Sequence, residues 1–265
     1  MLFLNLLILF ILGTIIGSFL NVVVLRYNTG LSFVTGRSKC FSCGKDLHWY
    51  ELLPLFSFLI LGGKCLKCKS QISYQYPVVE FLTGAIFAGI FFVFGMVPML
   101  PLYLLIASLL VAMSVYDFKH KIIPDGMVYS FIALSFVVLL LTHPLGQLFS
   151  FPNISLDLLA GPILFAFFAF FWLISGGKWM GFGDAKLALG VGWLLGFSGG
   201  VFAIMIAFWI GAIWSIILII LQQIKIANFK LSFKSEIPFA PFIILSVFIQ
   251  IFTSWNMQSI IYFLH

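Results

Sequence analysis

Long apolar runs with almost no charge dominate this chain, and they restrict it to a membrane. Hydrophobic residues make up 63% of its 265 residues and charged residues 8%, against about 45–50% and about 25% in soluble domains. A helix needs about 20 apolar residues to span a bilayer, where only helices and closed barrels satisfy the backbone. Runs of suitable length lie near 3–25, 77–95, 98–116, 126–142, 156–175, 185–197, 200–223 and 239–262. We predict an all-α polytopic membrane protein with about eight transmembrane helices.

The distribution of Lys and Arg predicts the orientation of these helices. All 14 basic residues fall in loops or at span ends on one side of this topology, and the opposite loops, such as Gly95–Pro101, contain none. The positive side is expected to be cytoplasmic, with both termini outside. The first span lacks a basic leading region and a small-residue cleavage site, so we expect a retained helix. The net charge of +6 then reflects topology. No nucleic-acid partner is predicted, because no basic helix or RNA-binding motif is present.

One polar insert interrupts the apolar pattern. Residues 26–76 contain all four cysteines and half of the basic residues. We therefore predict three regions: a first transmembrane helix at 1–25, a small cytoplasmic module between helices 1 and 2 at 26–76, and a transmembrane body at 77–265.

The four cysteines form two CxxC pairs, and this pattern is typical of a zinc site. Cys40 and Cys43 make the first pair, Cys65 and Cys68 the second, and 21 residues separate the pairs. Tetrahedral zinc with four thiolates uses such spacing, and a reducing cytoplasm favours metal over disulfides. Because four thiolates leave no open position, the zinc would be structural. Two disulfides, free thiols or a redox dithiol are the alternatives.

Two aspartates lie where an apolar span meets a basic loop. Asp117 ends the third predicted span and Asp184 opens the sixth, in a chain with only eight acidic residues. A carboxylate inside a bilayer is costly, by about 2.5–3.5 kcal/mol at a helix centre on insertion scales. Two carboxyls within a few ångströms share a proton, so one can act as general base and the other as acid. The hypothesis is an aspartyl dyad that hydrolyses peptides. The alternative is two structural aspartates paired with Lys119, Lys121 and Lys186.

Three further polar residues could serve either the site or the structure, and one proline has a local effect on the backbone. Asp125 is a rival third carboxylate, although helix N-capping suits it better. Glu80 either faces the site or bonds the cysteine module. Asn21 belongs to a packing seam with Gly13 and Gly17 or contacts a substrate. Pro124 disfavours helix just before it, which predicts a bent loop over 117–125.

The motifs together resemble the type IV prepilin peptidases, which are bacterial leader peptidases/N-methyltransferases. The resemblance covers nearly the whole chain. It includes both CxxC pairs, the block around Asp117 with Ile123-Pro-Asp125, and the block Gly181-Phe-Gly-Asp184-Ala-Lys186. The other matching segments are Gly17–Arg26, Trp49–Pro54, Ile72–Glu80 and Ile237–Phe242. The chain departs from the family pattern at Phe41, often Pro, and at Ala240, where the family has Gly.

This resemblance implies a bifunctional enzyme of the bacterial inner membrane. Such an enzyme cleaves a short basic leader after a Gly in prepilins or pseudopilins at the cytoplasmic face, with the catalytic pair mapping onto Asp117 and Asp184. Many members then methylate the new N-terminal residue with S-adenosylmethionine, and the cysteine module is associated with that activity. No binding motif for this cofactor is present, so its residues stay unassigned. Two alternatives remain at this stage: a presenilin-like protease cutting within membrane helices, and a proton- or cation-coupled transporter with a structural zinc cap.

Overall fold

Helices form the regular structure of this protein. The structure, a computed structural model, describes residues 1–143, 156–223 and 238–253. Within those ranges the β-structure is limited to two isolated bridges, Lys39 with Asp46 and Lys64 with Gln71. The helices are α1 (Leu2–Arg26), α2 (Phe56–Ile60), α3 (Gln75–Phe94), α4 (Leu100–His120), α5 (Asp125–Thr142), α6 (Leu156–Ser175), α7 (Phe182–Gln223) and α8 (Ala240–Thr253). Six of these helices in the described ranges are long and apolar enough to cross a membrane, and α8 is a shorter apolar helix.

The chain forms two compact units, Met1–Val115 and Tyr116–His265. In the first unit, α1 packs along α3. The small residues of α1 permit this contact, because a Cβ on Gly13 would lie 2.7 Å from the Cα of Gly84, and one on Gly17 would lie 2.8 Å from the Cα of Glu80. Backbones that approach this closely gain dispersion contacts that replace the hydrophobic driving force missing in lipid.

Asn21 belongs to the same seam. Its amide nitrogen donates to the carbonyl oxygens of Gly17 at 3.2 Å and Tyr76 at 3.3 Å, and its Oδ1 accepts a 3.4 Å bond from Gln75. These bonds use both polar atoms of a side chain that is almost fully buried. They support the packing interpretation of Asn21 over substrate contact.

In the second unit, α7 contacts α5, α6 and α8. An unbroken helix with its 42 residues would be about 63 Å long, twice the hydrocarbon thickness of a bilayer. Gly196 interrupts it with φ 71° and ψ 179°. Residues eight positions apart in a straight helix are about 12 Å apart, yet a Cβ on Gly200 would lie 3.3 Å from the Cα of Gly192. The chain therefore folds back at Gly196, and α7 is a hairpin of two spans.

Asp157 of α6 holds this turn. Its Oδ1 accepts a 2.9 Å hydrogen bond from the backbone N–H of Phe197, and its Oδ2 lies 3.4 Å from Nε2 of His143. A Cβ on Gly196 would lie 2.6 Å from Oδ1 of Asp157, so only glycine fits there. The sequence analysis did not single out Asp157.

Within the described residues the predicted spans are confirmed in position, with small corrections at their ends. The hairpin supplies the sixth and seventh spans, and α8 supplies the described part of the eighth, whose predicted residues 254–262 lie outside the described ranges. The loop predicted over 117–125 is shorter, because α4 continues to His120. Lys121, with φ 56°, directly follows the end of α4. Helix α5 then begins at Asp125, directly after Pro124. Asp117 is therefore in the last turn of a helix.

Candidate active site and metal centre

The two predicted catalytic aspartates come together within the second unit. Asp117 is 5% exposed and Asp184 is 8% exposed. Their carboxyl groups are close enough that the charge of Asp117 acts on Asp184. Chain segments 67 residues apart therefore bring two buried carboxyls into one electrostatic site.

The first turn of α7 fixes Asp184. Gly181 precedes the helix, and its backbone N–H donates a hydrogen bond to the Asp184 carboxylate, while the Asp184 N–H donates back to the Gly181 carbonyl at 3.1 Å. This reciprocal arrangement resembles a capping box, in which an acidic residue in the first turn satisfies the free N–H before the helix. The positive end of the helix dipole also favours a carboxylate there.

The first turn of α8 fixes Asp117. The backbone N–H of Ala240, the first residue of α8, donates to the Asp117 carboxylate. The first N–H groups of a helix have no partner within the helix, so Asp117 satisfies one of them. No local sequence pattern predicts this contact, although the segment Ile237–Phe242, which contains Ala240, resembles a family motif.

The loop after Asp117 packs directly on the glycine before Asp184. A Cβ on Gly183 would lie 3.1 Å from the Cβ of Ile123, and Ile123 is buried. A side chain at position 183 would therefore push the two segments apart. The glycines of the Gly181–Asp184 block thus allow a close approach as well as a tight turn.

If Asp117 and Asp184 were only structural, they were expected to form ion pairs with nearby lysines. The observed ion pairs differ from that expectation. Lys186 Nζ bonds Asp125 Oδ1 at 2.6 Å and lies 5.0 Å from the ring centroid of Tyr129. Among the ion pairs of residues 1–143, 156–223 and 238–253, none includes Asp117 or Asp184. Two buried carboxyls that interact without a cation partner can retain one proton between them.

The N-cap expected at Asp125 is wrong. Pro124 occupies the N-cap of α5, and Asp125 is the first helical residue. Its carboxylate pairs with Lys186 in the first turn of α7 instead. Asp125 therefore links the helix after the Asp117 loop to the helix that contains Asp184.

Glu80 bonds the cysteine module, as one of its two interpretations predicted. Its Oε2 accepts a 2.8 Å hydrogen bond from the backbone N–H of Leu55. Leu55 has a left-handed backbone with φ 62°, which is unfavourable for a non-glycine residue. The hydrogen bond that Leu55 donates to the buried Glu80 helps to hold that conformation.

The four cysteines of the module converge on one point. The Sγ atoms of Cys40, Cys43, Cys65 and Cys68 all lie within 4.8 Å of one another. The distance from Cys40 Sγ to Cys68 Sγ is 3.8 Å, close to the ~3.8 Å sulfur separation expected for tetrahedral zinc with ~2.3 Å bonds. All four are free thiols rather than disulfides. The residues present therefore fit a four-coordinate metal ion.

The two CxxC pairs adopt the same local structure. The N–H of Cys40 donates to the Lys45 carbonyl, and the N–H of Cys65 donates to the Ser70 carbonyl, both at 2.9 Å. Gly44 and Lys69 occupy equivalent positions with φ 67° and φ 60°. Paired turns of this kind place two sulfurs from each pair on one side, as metal knuckles require.

Backbone donors near the sulfurs favour thiolate. The N–H groups of Cys43 and Ser42 lower the pKa of the Cys40 thiol to about 6. At Cys43 the Lys45 N–H lowers the thiol pKa, but partial burial and the neighbouring thiols outweigh it and raise the pKa of Cys43 to about 11. Four adjacent sulfurs cannot all be charged without a cation, so metal binding would release protons.

Comparison with known proteins identifies the family. The model of the Bacterial Peptidase A24 N-terminal domain matches residues 11–94, and that of the Type IV leader peptidase family matches residues 104–216. No solved structure matches the chain.

Relatives named prepilin leader peptidase/N-methyltransferase align with the chain, two of them over most of its length. The protein from Bacillus subtilis is 32% identical over 234 residues, covering 88% of each chain. That from Pseudomonas aeruginosa is 29% identical over 265 residues, covering 91% of this chain and 88% of its own. A protein from Myxococcus xanthus is 44% identical over 119 residues, which are 45% of this chain and 36% of the relative. The chain therefore belongs to the prepilin leader peptidase/N-methyltransferase family.

Proposed function

We propose that this protein removes the leader peptide from type IV prepilins or pseudopilins, with Asp117 and Asp184 as its catalytic dyad. The main support is the pair of buried, interacting carboxyls, neither of which has a cation partner among the described residues. Backbone N–H groups of Ala240 and Gly181 orient these carboxyls, so both can be held in place before substrate arrives.

The dyad would hydrolyse the peptide by acid–base chemistry. One carboxylate removes a proton from water as the water oxygen attacks the scissile carbonyl carbon, and the other, protonated carboxyl donates to the carbonyl oxygen. The tetrahedral intermediate then collapses, the C–N bond breaks, and the leaving nitrogen takes a proton. The products are a leader with a free carboxylate and a pilin with a new amine. Acid and base are properties of the coupled pair and are not assigned to individual residues.

We place this chemistry at the cytoplasmic face of the bacterial inner membrane. Asp117 is in the last turn of α4 and Asp184 in the first turn of α7, next to loops that contain basic residues. The positive-inside rule then assigns these ends to the cytoplasm and both termini to the outside.

Reporter fusions test this orientation. Fusions at residues 97 and 150 are expected to report an outside location, and fusions at 60, 120 and 230 an inside location. The reason is the absence of Lys and Arg from the sequence around positions 97 and 150. An outside signal at residue 60 would contradict the placement of the cysteine module, and one at 120 that of the dyad.

We also propose that the new N-terminal amine is methylated, as the full names of the relatives suggest. S-adenosylmethionine would supply an electrophilic methyl group to the amine, which must be unprotonated to accept it. Zinc bound by Cys40, Cys43, Cys65 and Cys68 would have a structural role, because four sulfur ligands leave no position for water or substrate.

Incubation of the purified protein with a prepilin tests the peptidase proposal. Leader removal that requires Asp117 is expected. An intact prepilin together with cleavage inside a membrane helix would favour a presenilin-like protease. Aspartate-dependent proton or cation flux without cleavage would favour a transporter.

The ion pair between Asp125 and Lys186 should influence cleavage without being essential. We expect Asp125→Asn and Lys186→Met each to reduce kcat by about three- to tenfold, because the first turns of α5 and α7 lose their link. The effect should be modest because Asp125 is 68% exposed and Lys186 is 15% exposed, and water screens such pairs. The double variant should be no slower than the worse single variant, since both changes remove one interaction.

Another exposed pair is the matched control. Lys39 and Asp46 lie 3.7 Å apart, and Asp46→Asn should leave cleavage unchanged. Additive losses in the Asp125 and Lys186 variants would show that the two side chains act independently.

A further inference from the structure

An apolar surface on the cysteine module has no role in the proposed chemistry. Residues 49–60, here called the interfacial segment, expose an unusual number of large apolar side chains. The exposed ones are Trp49, Tyr50, Leu52, Leu53, Phe56, Leu59 and Ile60. Water-exposed loops rarely have such continuous apolar surface, which usually marks a contact with a membrane or another molecule.

The charged side chain of this segment points inward. Glu51 is buried, and its carboxylate accepts hydrogen bonds from Lys45 Nζ at 3.0 Å and from the His48 backbone N–H at 2.9 Å. The acid is satisfied inside the module while its apolar neighbours point out. This is the reverse of the pattern in a segment that contacts water.

The exposed apolar side chains of α2 lie on one side of the helix. Phe56, Leu59 and Ile60 occupy positions i, i+3 and i+4, which share one side of a helix. On the module side, Phe58 contacts the ring of Tyr74 at a centroid distance of 5.5 Å and closes over Gly63. The helix is therefore anchored through one side, and its exposed side is apolar.

A hydrogen bond fixes the depth of the segment relative to a membrane span. The N–H of Leu55, which precedes α2, donates to Glu80 Oε2 at 2.8 Å. Glu80 is five residues into α3, which begins at Gln75, so its Cα is about 7.5 Å along that helix. The start of α2 is thus at the level of the second turn of α3, near one end of a helix that is long and apolar enough to cross a membrane.

Basic residues follow the apolar face in the sequence. Lys64, Lys67 and Lys69 are exposed and lie between α2 and the membrane span α3. Anionic headgroups attract Lys at this level, by about 1 kcal/mol per residue. Trp and Tyr, present here as Trp49 and Tyr50, are enriched at membrane interfaces.

We propose that the interfacial segment inserts its apolar face into the lipid of the bilayer that the chain spans, at the boundary between headgroups and acyl chains. The occupant of this surface is lipid, rather than a pilin, a second copy of the chain or its own second unit. Insertion would hold the cysteine module flat against the membrane through a third contact besides α1 and α3. This inference does not depend on the activity of the dyad.

Photo-crosslinking in the full-length protein in native membranes tests the proposal. p-Benzoylphenylalanine replaces Leu59 or Ile60, which are 74% and 80% exposed, and mass spectrometry identifies the adduct. A lipid adduct is expected at both positions. Its yield should be within about twofold of that at Phe92, an exposed residue in the span α3 that serves as a lipid-facing control.

Phe41 is the matched control on the module. It is 84% exposed and lies in the first knuckle, outside the interfacial segment. Lipid labelling there should be lower by roughly fivefold or more. Adducts at 59 and 60 with protein, whether a pilin, another copy or a distant part of the chain, would overturn the proposal. Unlabelled protein at both positions or equal lipid labelling at Phe41 would also overturn it.

Discussion

We expect Asp117→Asn and Asp184→Asn each to lower the rate of prepilin cleavage by about 10²–10⁴-fold, with the protein still folded in the membrane. Loss of positioned acid–base catalysis has effects of this size. Asparagine has nearly the same shape and can still accept the hydrogen bonds from Ala240 and Gly181. It cannot exchange a proton with water or substrate. Cleavage is measured on purified variants with a prepilin peptide, and thermal unfolding is measured on the same samples.

Stability separates a catalytic from a structural role in this experiment. Each substitution removes one of two buried carboxyls that have no cation partner in the part of the chain that the structure describes, so the midpoint of unfolding should stay the same or rise. If the aspartates were structural, activity and stability should fall together. Asp125→Asn should be much milder than either change. An inactive Asp125→Asn with an active Asp117→Asn would mean that the first catalytic acid is wrongly assigned.

Cys65→Ser has the second large expected effect, which is loss of the bound metal and collapse of the cysteine module. Cys65 is the buried member of the four thiols, and a structural zinc site in small peptides contributes about 10–16 kcal/mol to folding. We expect zinc content to fall from one ion per chain to near zero. Cleavage should weaken but persist, because the dyad is in the other compact unit. Methylation should fall further if the module helps to hold the cofactor or the new N-terminus.

Lys69→Gly is the matched control in the same module. It removes a non-glycine residue from a left-handed backbone position with φ 60°, where the first knuckle has Gly44. Because glycine adopts this conformation easily, zinc binding should be retained. Full zinc occupancy in Cys65→Ser would contradict the four-thiolate site. Normal methylation after loss of zinc would separate the module from the transferase activity.

The sequence predicted the long apolar helices and the grouping of the four cysteines because both depend on local patterns. Apolar run length is sufficient to locate helices, and CxxC spacing is sufficient to group thiols. The hairpin in α7 could be anticipated as two short spans, since glycines cluster between residues 190 and 200. Asp157, which satisfies the turn at Phe197 from 40 residues away, could not be found from local spacing.

Tertiary contacts account for the errors around the dyad. Asp125 has the sequence position of an N-cap, but Pro124 takes that position and Lys186, 61 residues later, provides a stronger partner. Likewise, Asp117 and Ala240 are 123 residues apart in the sequence, and their hydrogen bond depends on where α8 begins. Helix propensities and charge patterns do not predict such contacts between residues that are far apart in the sequence.

Mass spectrometry of the N-terminus of a co-expressed prepilin tests the central claim most directly. One spectrum reports both leader removal and methylation. With the unaltered protein we predict a pilin shortened by its leader and heavier by one methyl group. With Asp184→Asn we predict the full-length prepilin. A full-length, unmethylated prepilin in the presence of the unaltered, membrane-inserted protein would contradict the proposed function.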